Sequence, residues 1–240
     1  MNPHAHHATS AVSCVQCFVK NWHIIIQMIH RDAIGKYKGS FLGVFWSFVT
    51  PILMLVVYTF VFSVVFKARW ITEDNMAEDT QVQFAIFLFI GMLVHGLFAE
   101  AVNASTTLIL GNVNFVKKVV FPLEILPIIK VGSSFFNFTV GLLVLLAAFV
   151  LLGRDVHLTI IFLPIIIFPL LLLILGVSWF LSALSVYVRD INHPVTIFTS
   201  VLMFLSPVFF PMKAIPEVYH ALILANPLTF IIEQSRDVLI

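Results

Sequence analysis

The chain has 240 residues, of which 60% are hydrophobic and only 10% are charged, and its mean hydropathy is +1.06. Soluble domains carry about a quarter charged residues, so this composition excludes a soluble globular protein and predicts a polytopic membrane protein. The net charge is +1, and the only two adjacent basic residues are Lys117 and Lys118. Because nucleic-acid binding needs a basic surface that follows the phosphates, we predict no nucleic-acid partner.

The amino-terminal residues 1–17 lack the charged start and the apolar run of a signal peptide, and their composition predicts a disordered tail. The tail contains histidine and cysteine side chains that could bind a metal ion. We favour the interpretation without a metal, because the sequence has no second cysteine pair and the histidines lie in a segment predicted to be disordered. The side chains concerned are His4, His6, His7, Cys14 and Cys17.

Residues 18–34 have the pattern of an amphipathic helix, with an apolar stripe opposite Lys20, Gln27 and Arg31. Such a helix is expected in the plane of the membrane interface. Trp22 suits the headgroup region, and Arg31 suits anionic lipid headgroups. For Lys20 and Arg31, a plain solvated face is an equally good interpretation.

The first predicted span covers residues 41–66, which carry no charge. A helix of this length would measure roughly 39 Å, more than the roughly 30 Å hydrocarbon core, so it must tilt or begin below the interface. Pro51 predicts a kink in this helix. Gly35, Gly39 and Gly43 precede or open the span at four-residue spacing, which predicts one helix face packed closely against a second helix, or else a moving hinge.

This stretch resembles a known family. The sequence GSFLGVFW at residues 39–46, followed by Pro51, is similar to the start of the first span in the permeases of type-2 ABC exporters. The most similar branch exports lipid-linked polysaccharides such as O-antigen, capsule or teichoic acid. Permeases of this family also carry an amphipathic helix before the first span, in agreement with residues 18–34.

The second predicted span covers residues 84–105 and contains His95 and Glu100. An ionisable residue inside a span is energetically expensive and is a functional candidate by default. A single histidine is more often an interhelical hydrogen-bond donor than a ligand, and we predict that role for His95. Glu100 lies near the end of the span, so we favour a structural role at the interface over a contact with substrate.

Polar residues return after the second span, where Gly111 and Asn112 predict a helix break before the basic pair and Phe121-Pro122. This order resembles the first intracellular loop of the family, in which a short coupling helix docks on the ATPase. An ordinary positive-inside loop is the alternative, although it would explain only the lysines. The resemblance implies coupling residues Leu110, Gly111, Asn112, Val113, Asn114, Phe115, Lys117 and Lys118.

The third and fourth spans are predicted at residues 131–152 and 160–188. The second of these apolar stretches is longer than one upright crossing, and Pro164 and Pro169 are expected to separate a bent lead-in from the helix proper. Arg189-Asp190 follows and resembles the pair that closes the fourth span in the family. The pair is either a plain helix terminus or a lock that holds the loop.

Residues 194–212 are predicted to form a fifth span, and residues 214–236 a pair of re-entrant or interfacial half-helices. The latter segment resembles the extracytoplasmic gate of polysaccharide exporters; a disordered outer loop is the alternative. In that family a sixth span follows, which we expect this sequence to lack. The resemblance implies gate residues Pro207, Pro211, Pro216, Tyr219, Asn226 and Pro227.

Basic residues are distributed unevenly when the amino terminus is placed in the cytosol, with eight on the cytosolic side and four outside. The positive-inside rule therefore predicts a cytosolic amino terminus, and the resemblance implies the bacterial inner membrane. The cytosolic set is Lys20, Arg31, Lys36, Lys38, Lys117, Lys118, Lys130 and Arg189, and the outer set is Lys67, Arg69, Arg154 and Lys213.

The resemblance extends over residues 18–237 and implies one all-α permease domain at 18–240, which forms a homodimer and binds an ATP-binding subunit. The sequence has no P-loop motif, so ATP and magnesium are expected in that partner, with no cofactor and no catalytic residue in this chain. A membrane enzyme acting on polyprenyl-linked sugars and a channel remain weaker alternatives. The enzyme would have to use the loop carboxylates Glu73, Asp74, Glu78 and Asp79.

Overall fold

A computed structural model describes residues 11–61, 79–117, 122–152, 157–212 and 215–240. Within these ranges the chain forms helices joined by turns, so the predicted all-α fold is confirmed. The α-helices are α1 Ala11–Lys20, α2 Trp22–Gly35, α3 Trp46–Tyr58, α4 Asp79–Ser105, α5 Leu108–Gly111, α6 Val113–Lys117, α7 Ile125–Leu151, α8 Leu163–Tyr187, α9 Asn192–Phe204, α10 Glu217–Leu224 and α11 Pro227–Leu239.

Four helical segments of the described chain are long and apolar enough to cross a membrane. They agree with the first four predicted spans, although the third begins at Ile125, six residues before the predicted start. The polytopic membrane architecture is thereby confirmed. The segments are Gly43–Val61, Gln83–Ser105, Ile125–Leu151 and Leu158–Tyr187.

Helix α4 is the centre of the bundle. It packs against α3, α7, α8, α9 and α11. In its most apolar stretch 67% of the residues are buried inside the protein, whereas the corresponding share in the first span is 6%. A helix that is apolar on every side is expected to be surrounded by other helices. The other spans surround α4, and they also contact one another directly where α7 meets α3 and α8.

Polar contacts fix α4 to its neighbours. The buried His95 places Nε2 3.0 Å from the carbonyl oxygen of Thr199 in α9, and the hydroxyl of Thr199 donates to Asn103 Oδ1 at 3.1 Å. A carbonyl only accepts hydrogen bonds, so His95 donates, and the predicted interhelical bond is confirmed. The hydroxyl of Ser182 in α8 donates to the carbonyl of Ser105 at 3.2 Å. Such bonds are a main source of helix association in lipid.

The predicted amphipathic helix is divided into α1 and α2. The break lies at Asn21, whose side-chain amide donates to the carbonyl of Cys17 at 2.8 Å. Helix α1 begins at Ala11, so it includes residues that the sequence assigned to the tail. Helix α2 runs beside α7: Ile25 packs with Ile129, and Ile29 lies against Gly132, where a side chain would clash. One face of α2 is therefore packed on α7, and the placement of the helix in the interface plane stays a prediction.

The shared face predicted for the glycines before the first span is wrong. Gly39 and Gly43 have φ angles of 87° and 53°, the left-handed region that glycine adopts without strain. Residues 36–42 therefore form turns between α2 and α3 instead of a helix. Apart from its immediate chain neighbours and its own helix, a Cβ atom at Gly35, Gly39 or Gly43 would meet no atom of the described residues within 4 Å. Pro51 lies inside α3.

The fifth predicted span is also shorter than expected. Helix α9 has 13 residues, or about 20 Å, which is less than the roughly 30 Å hydrocarbon core. It ends at Phe204 because Pro207 has no N–H to donate and disfavours helical geometry in Ser206. The chain then forms a turn in which the N–H of Val208 donates to the carbonyl of Ser206 at 2.7 Å.

The fourth span begins with a 3₁₀ turn, Leu158–Phe162, as the expected lead-in. Pro164 lies in the first turn of α8, where its missing N–H costs nothing, but Pro169 lies inside the helix. The lead-in therefore ends just before Pro164, and the helix continues through Pro169. Arg189 and Asp190 are exposed in a 3₁₀ turn directly after α8, which agrees with a helix terminus.

Ile24 and Ile25 form a matched pair for testing how α2 packs. Ile25 is 1% exposed and Ile24 is 43% exposed. We expect Ile25→Ala to lower the free energy of unfolding by about 2 kcal/mol, because it leaves a cavity against α7. Ile24→Ala should change it by less than about 0.5 kcal/mol. Thermal unfolding of the two purified variants in detergent measures the difference; equal stabilities would contradict the packing of α2 on α7.

Candidate functional site: a coupling segment and an outlet hairpin

The two regions that the sequence singled out lie at opposite ends of α4. Helix α4 leads through Ser105 into the coupling segment, Leu108–Lys117, at what we call the α2 end. Toward the start of α4, the carbonyl of Phe87 accepts a hydrogen bond from Arg236 of α11. We call this opposite end of the bundle the α11 end. The nineteen residues from Phe87 to Ser105 span about 27 Å of helix, close to the thickness of a hydrocarbon core.

The coupling segment consists of two short helices with a break at Asn112. The backbone of Asn112 leaves the helical region (φ −114°, ψ 40°), and its side-chain amide donates to the carbonyl of Leu108 at 2.8 Å. The predicted helix break is confirmed. Asn112 thus satisfies an unpaired carbonyl at the end of α5 and fixes the angle between α5 and α6.

The coupling residues divide into an exposed set and an anchoring set. Leu110 is 38% and Val113 45% exposed, and Gly111 and Asn114 are exposed as well. Phe115 is half-buried and packs with Ile25, Leu108 and other members of the apolar cluster between α2 and α7. Exposed apolar side chains at the tip of an anchored segment suit a protein–protein contact.

Arg31 faces the coupling segment. Its guanidinium carbon lies 5.8 Å from the centre of the Phe115 ring, within cation–π range. The sequence assigned Arg31 to anionic lipid or to a solvated face, and it did not predict this contact. Trp22 is 58% exposed, which leaves its indole available to the headgroup region.

Two polar networks join α2 and the turn after it to the spans. Asp32 accepts hydrogen bonds from Lys130 Nζ at 3.0 Å and from Ser133 Oγ at 2.6 Å, both in α7. Burial alone would raise the pKa of Asp32, but the bonds from Ser133 and Lys130 outweigh it, so the net pKa lies below the ordinary value. The carboxylate is therefore ionised at neutral pH.

Glu100 of α4 is the centre of the second polar network. It forms an ion pair with Lys36 and accepts two hydrogen bonds from the side-chain amide of Asn137 at 2.9 and 3.1 Å. The structural role predicted for Glu100 is confirmed by these contacts. It connects the turn before the first span to α4 and α7.

At the α11 end, α10 and α11 form a helical hairpin with Asn226 between them, which we call the outlet hairpin (Glu217–Leu239). The amide of Asn226 donates to Ser206 Oγ at 2.8 Å, and its Oδ1 accepts from the N–H of Leu228 at 3.0 Å. Asn226 therefore caps α11 and ties the hairpin to the turn after α9. The predicted pair of short helices is present.

The predicted gate residues differ in their burial. Pro207 and Asn226 are buried, Pro211 is half-buried, and Pro216, Tyr219 and Pro227 are exposed. The structure brings the first two together through Ser206, next to Pro207 in the chain, but it does not gather all six around one point.

Arg236 is a buried residue whose role the sequence reasoning missed. Its side chain is 2% exposed, and it donates to the Phe87 carbonyl through Nε at 3.2 Å and Nη2 at 3.1 Å. Nη2 also donates to the Val208 carbonyl at 3.0 Å, and Nη1 donates to Glu233 Oε1 at 3.2 Å. The available signal was an arginine in a largely apolar segment assigned to membrane depth.

Several predicted side chains fall outside the described residues. Within the part that the structure describes, no three metal-binding side chains cluster, and Cys17 is a half-buried free thiol. The prediction of no metal site stays a prediction. The undescribed side chains are His4, His6, His7, Cys14, Lys67, Arg69, Glu73, Asp74, Glu78, Asp79, Lys117, Lys118, Phe121, Arg154 and Lys213.

Known relatives share most of this chain. An O-antigen export system permease protein RfbA from Myxococcus xanthus is 28% identical over 207 residues, which is 85% of this chain and 75% of that protein. The RfbA permease of Klebsiella pneumoniae is 25% identical over 89% of this chain and 79% of its own length. The polysialic acid transport protein KpsM of Escherichia coli is 24% identical over 86% of this chain and 76% of its own length.

The family assignment rests on a longer match. The ABC-2 type transporter family matches residues 24–240, which include α3 to α11 and most of α2. The match contains both the coupling segment and the outlet hairpin, so the motifs that carried the resemblance in the sequence lie inside it. The chain belongs to the ABC-2 type transporter family.

Proposed function

We propose that this chain is the membrane permease subunit of an ATP-driven exporter that moves a lipid-linked polysaccharide of the O-antigen type across the bacterial inner membrane. The permease acts as a homodimer together with two copies of an ATP-binding subunit. The family supports transport, and the relatives named as O-antigen and polysialic acid transport proteins support a polysaccharide as the substrate. Capsule and teichoic acid polymers are related substrates of the same chemical class.

The observation that carries this proposal is the construction of the coupling segment. Its tip presents Leu110, Val113 and Asn114 to the surroundings, while Phe115 and Asn112 hold its base. A transporter without a phosphate-binding loop of its own must receive energy from another chain through such a contact. ATP and magnesium belong to that partner, and this chain contributes the surface on which the partner docks.

The basic residues support a cytosolic α2 end. Lys20, Arg31 and Lys38 are exposed in α1, α2 and the turn that follows, and Arg31 faces the coupling segment. Basic residues favour the cytosolic side. The outlet hairpin then lies on the outer side. Two short helices joined at Asn226 are a suitable gate, because backbone that does not span the membrane must be held by protein at that depth.

The exposed tip gives the first test of coupling. We expect the combined variant Leu110→Ser, Val113→Ser, Asn114→Ala to reduce ATP-dependent export at least about tenfold, because losing 1.4 kcal/mol of contact energy lowers binding tenfold. The permease should still insert, since these side chains are exposed. Co-purification of the ATP-binding subunit and export of labelled polysaccharide measure the two effects.

A matched control uses exposed apolar residues at the other end of the bundle. Val218 and Leu222 in α10 are 85% and 59% exposed, so Val218→Ser with Leu222→Ser should leave co-purification unchanged. Asn112 and Phe115 are poor targets, because removing either would loosen the segment itself. Normal export by the triple variant, or equal loss of the partner in both variants, would defeat the docking assignment.

Orientation can be tested with a pair of single cysteines. In a chain with Cys14→Ser and Cys17→Ser, we expect Ser40→Cys to react with an impermeant thiol reagent only after the cells are permeabilised. Val218→Cys should react in intact spheroplasts, because it belongs to the opposite end. Both positions are exposed. The reverse labelling pattern would overturn the cytosolic placement of the amino terminus.

A further inference from the structure

Arg236 joins three separate elements through main-chain atoms. It belongs to α11, and its guanidinium donates to the carbonyl of Phe87 in α4 and to the carbonyl of Val208 in the turn after α9. The guanidinium carbon also lies 5.7 Å from the centre of the Phe87 ring. Asn226 at the other end of α11 contacts the same turn through Ser206. The turn is therefore held at two points, one at each end of the helix.

Gly91 has no side chain and so leaves room for the guanidinium of Arg236 beside α4. In an α-helix the N–H of residue 91 points to the carbonyl of residue 87, so Gly91 lies directly above the acceptor. A Cβ atom at Gly91 would lie 3.2 Å from Arg236 Nη2 and 3.1 Å from the Cα atom of Val208. Only glycine leaves this space free. Gly96 in the same helix has no atom within 4 Å of such a Cβ.

The partners of Arg236 named above are not equivalent. A buried cation is stable only while hydrogen bonds replace its lost hydration. If the Val208 contact breaks, the Phe87 carbonyl and Glu233, which is 35% exposed, still bind the guanidinium. The turn after α9 can therefore move away from α4 while the guanidinium keeps hydrogen-bond partners. If α11 moved away from α4, the buried guanidinium would lose the Phe87 carbonyl.

We propose that Arg236 is a positioning residue that latches the outlet in its resting state, with the Arg236–Val208 hydrogen bond as the part of the latch that opens. The inference rests on the proposed function of the outlet hairpin as a gate. In the resting state the latch holds the turn Ser206–Phe209 against α4. During export this one contact breaks and re-forms, while α11 stays attached to α4.

The test is the resting conductance of the permease assembled with its ATP-binding subunit in planar bilayers, without ATP. Arg236→Lys keeps the charge but cannot bond both carbonyls with one planar group. Gly91→Ala keeps every polar group and pushes Val208 away. We expect each variant to raise the resting conductance about tenfold, which corresponds to a loss of about 1.4 kcal/mol from the closed state.

Three variants serve as matched controls and should conduct like the wild type. Arg189→Lys makes the same substitution at an exposed arginine, and Gly96→Ala makes the same substitution in the open part of α4. Ile174→Ala removes buried packing in the middle of α8. This last control separates the latch from a general loss of stability, because a merely structural effect would raise the conductance of all destabilised variants.

The proposed latch would be overturned if Arg236→Lys and Gly91→Ala are inserted and assembled and both conduct like the wild type. An equal rise in Ile174→Ala would also overturn it. If Arg236→Lys is not recovered from membranes, Gly91→Ala decides alone. A wild-type complex that hydrolyses ATP without exporting polysaccharide would contradict the proposed function instead, so the two failures are distinguishable.

Discussion

Polar groups that leave water must find partners within the protein, and in this chain α4 supplies them. Its side chains and carbonyls bind α9 through His95, α7 through Glu100 and α11 through the carbonyl of Phe87. Apolar contact alone would give little preference for one arrangement of helices in lipid. The arrangement of the bundle therefore depends on where α4 carries polar atoms, and these atoms are distributed along the helix at Phe87, His95 and Glu100.

The two ends are built on different principles. At the α2 end, side chains meet side chains: Asp32 binds Lys130, and Arg31 faces the ring of Phe115. At the α11 end, the decisive contacts go from Arg236 to main-chain carbonyls. Side-chain pairs suit a surface that another protein approaches, since they can adjust. Contacts to carbonyls suit a region in which one side chain sets the distance between backbone segments in the resting state.

Much of the fold could be predicted because apolar runs and helix breaks are visible in a single sequence. Asn112 was readable as a break, and His95 as an interhelical donor, because each is polar within an apolar run. The glycines were misassigned, since spacing alone cannot distinguish a helix face from turns with positive φ, as at Gly39. Arg236 binds the main-chain carbonyls of Phe87 and Val208. Every residue has such a carbonyl, so the sequence contains no residue type that indicates these partners.

The half-exposed ion pairs at the α2 end have a consequence for the chemistry of the surrounding solution. Lys36 and Glu100 are each 33% exposed, so dissolved salt, with a Debye length of about 8 Å at physiological ionic strength, weakens their attraction. Arg236 is shielded from mobile ions by its burial. Among the ion pairs described here, concentrated salt therefore weakens Lys36–Glu100 directly, and it loosens the attachment of the turn after α2 to α4.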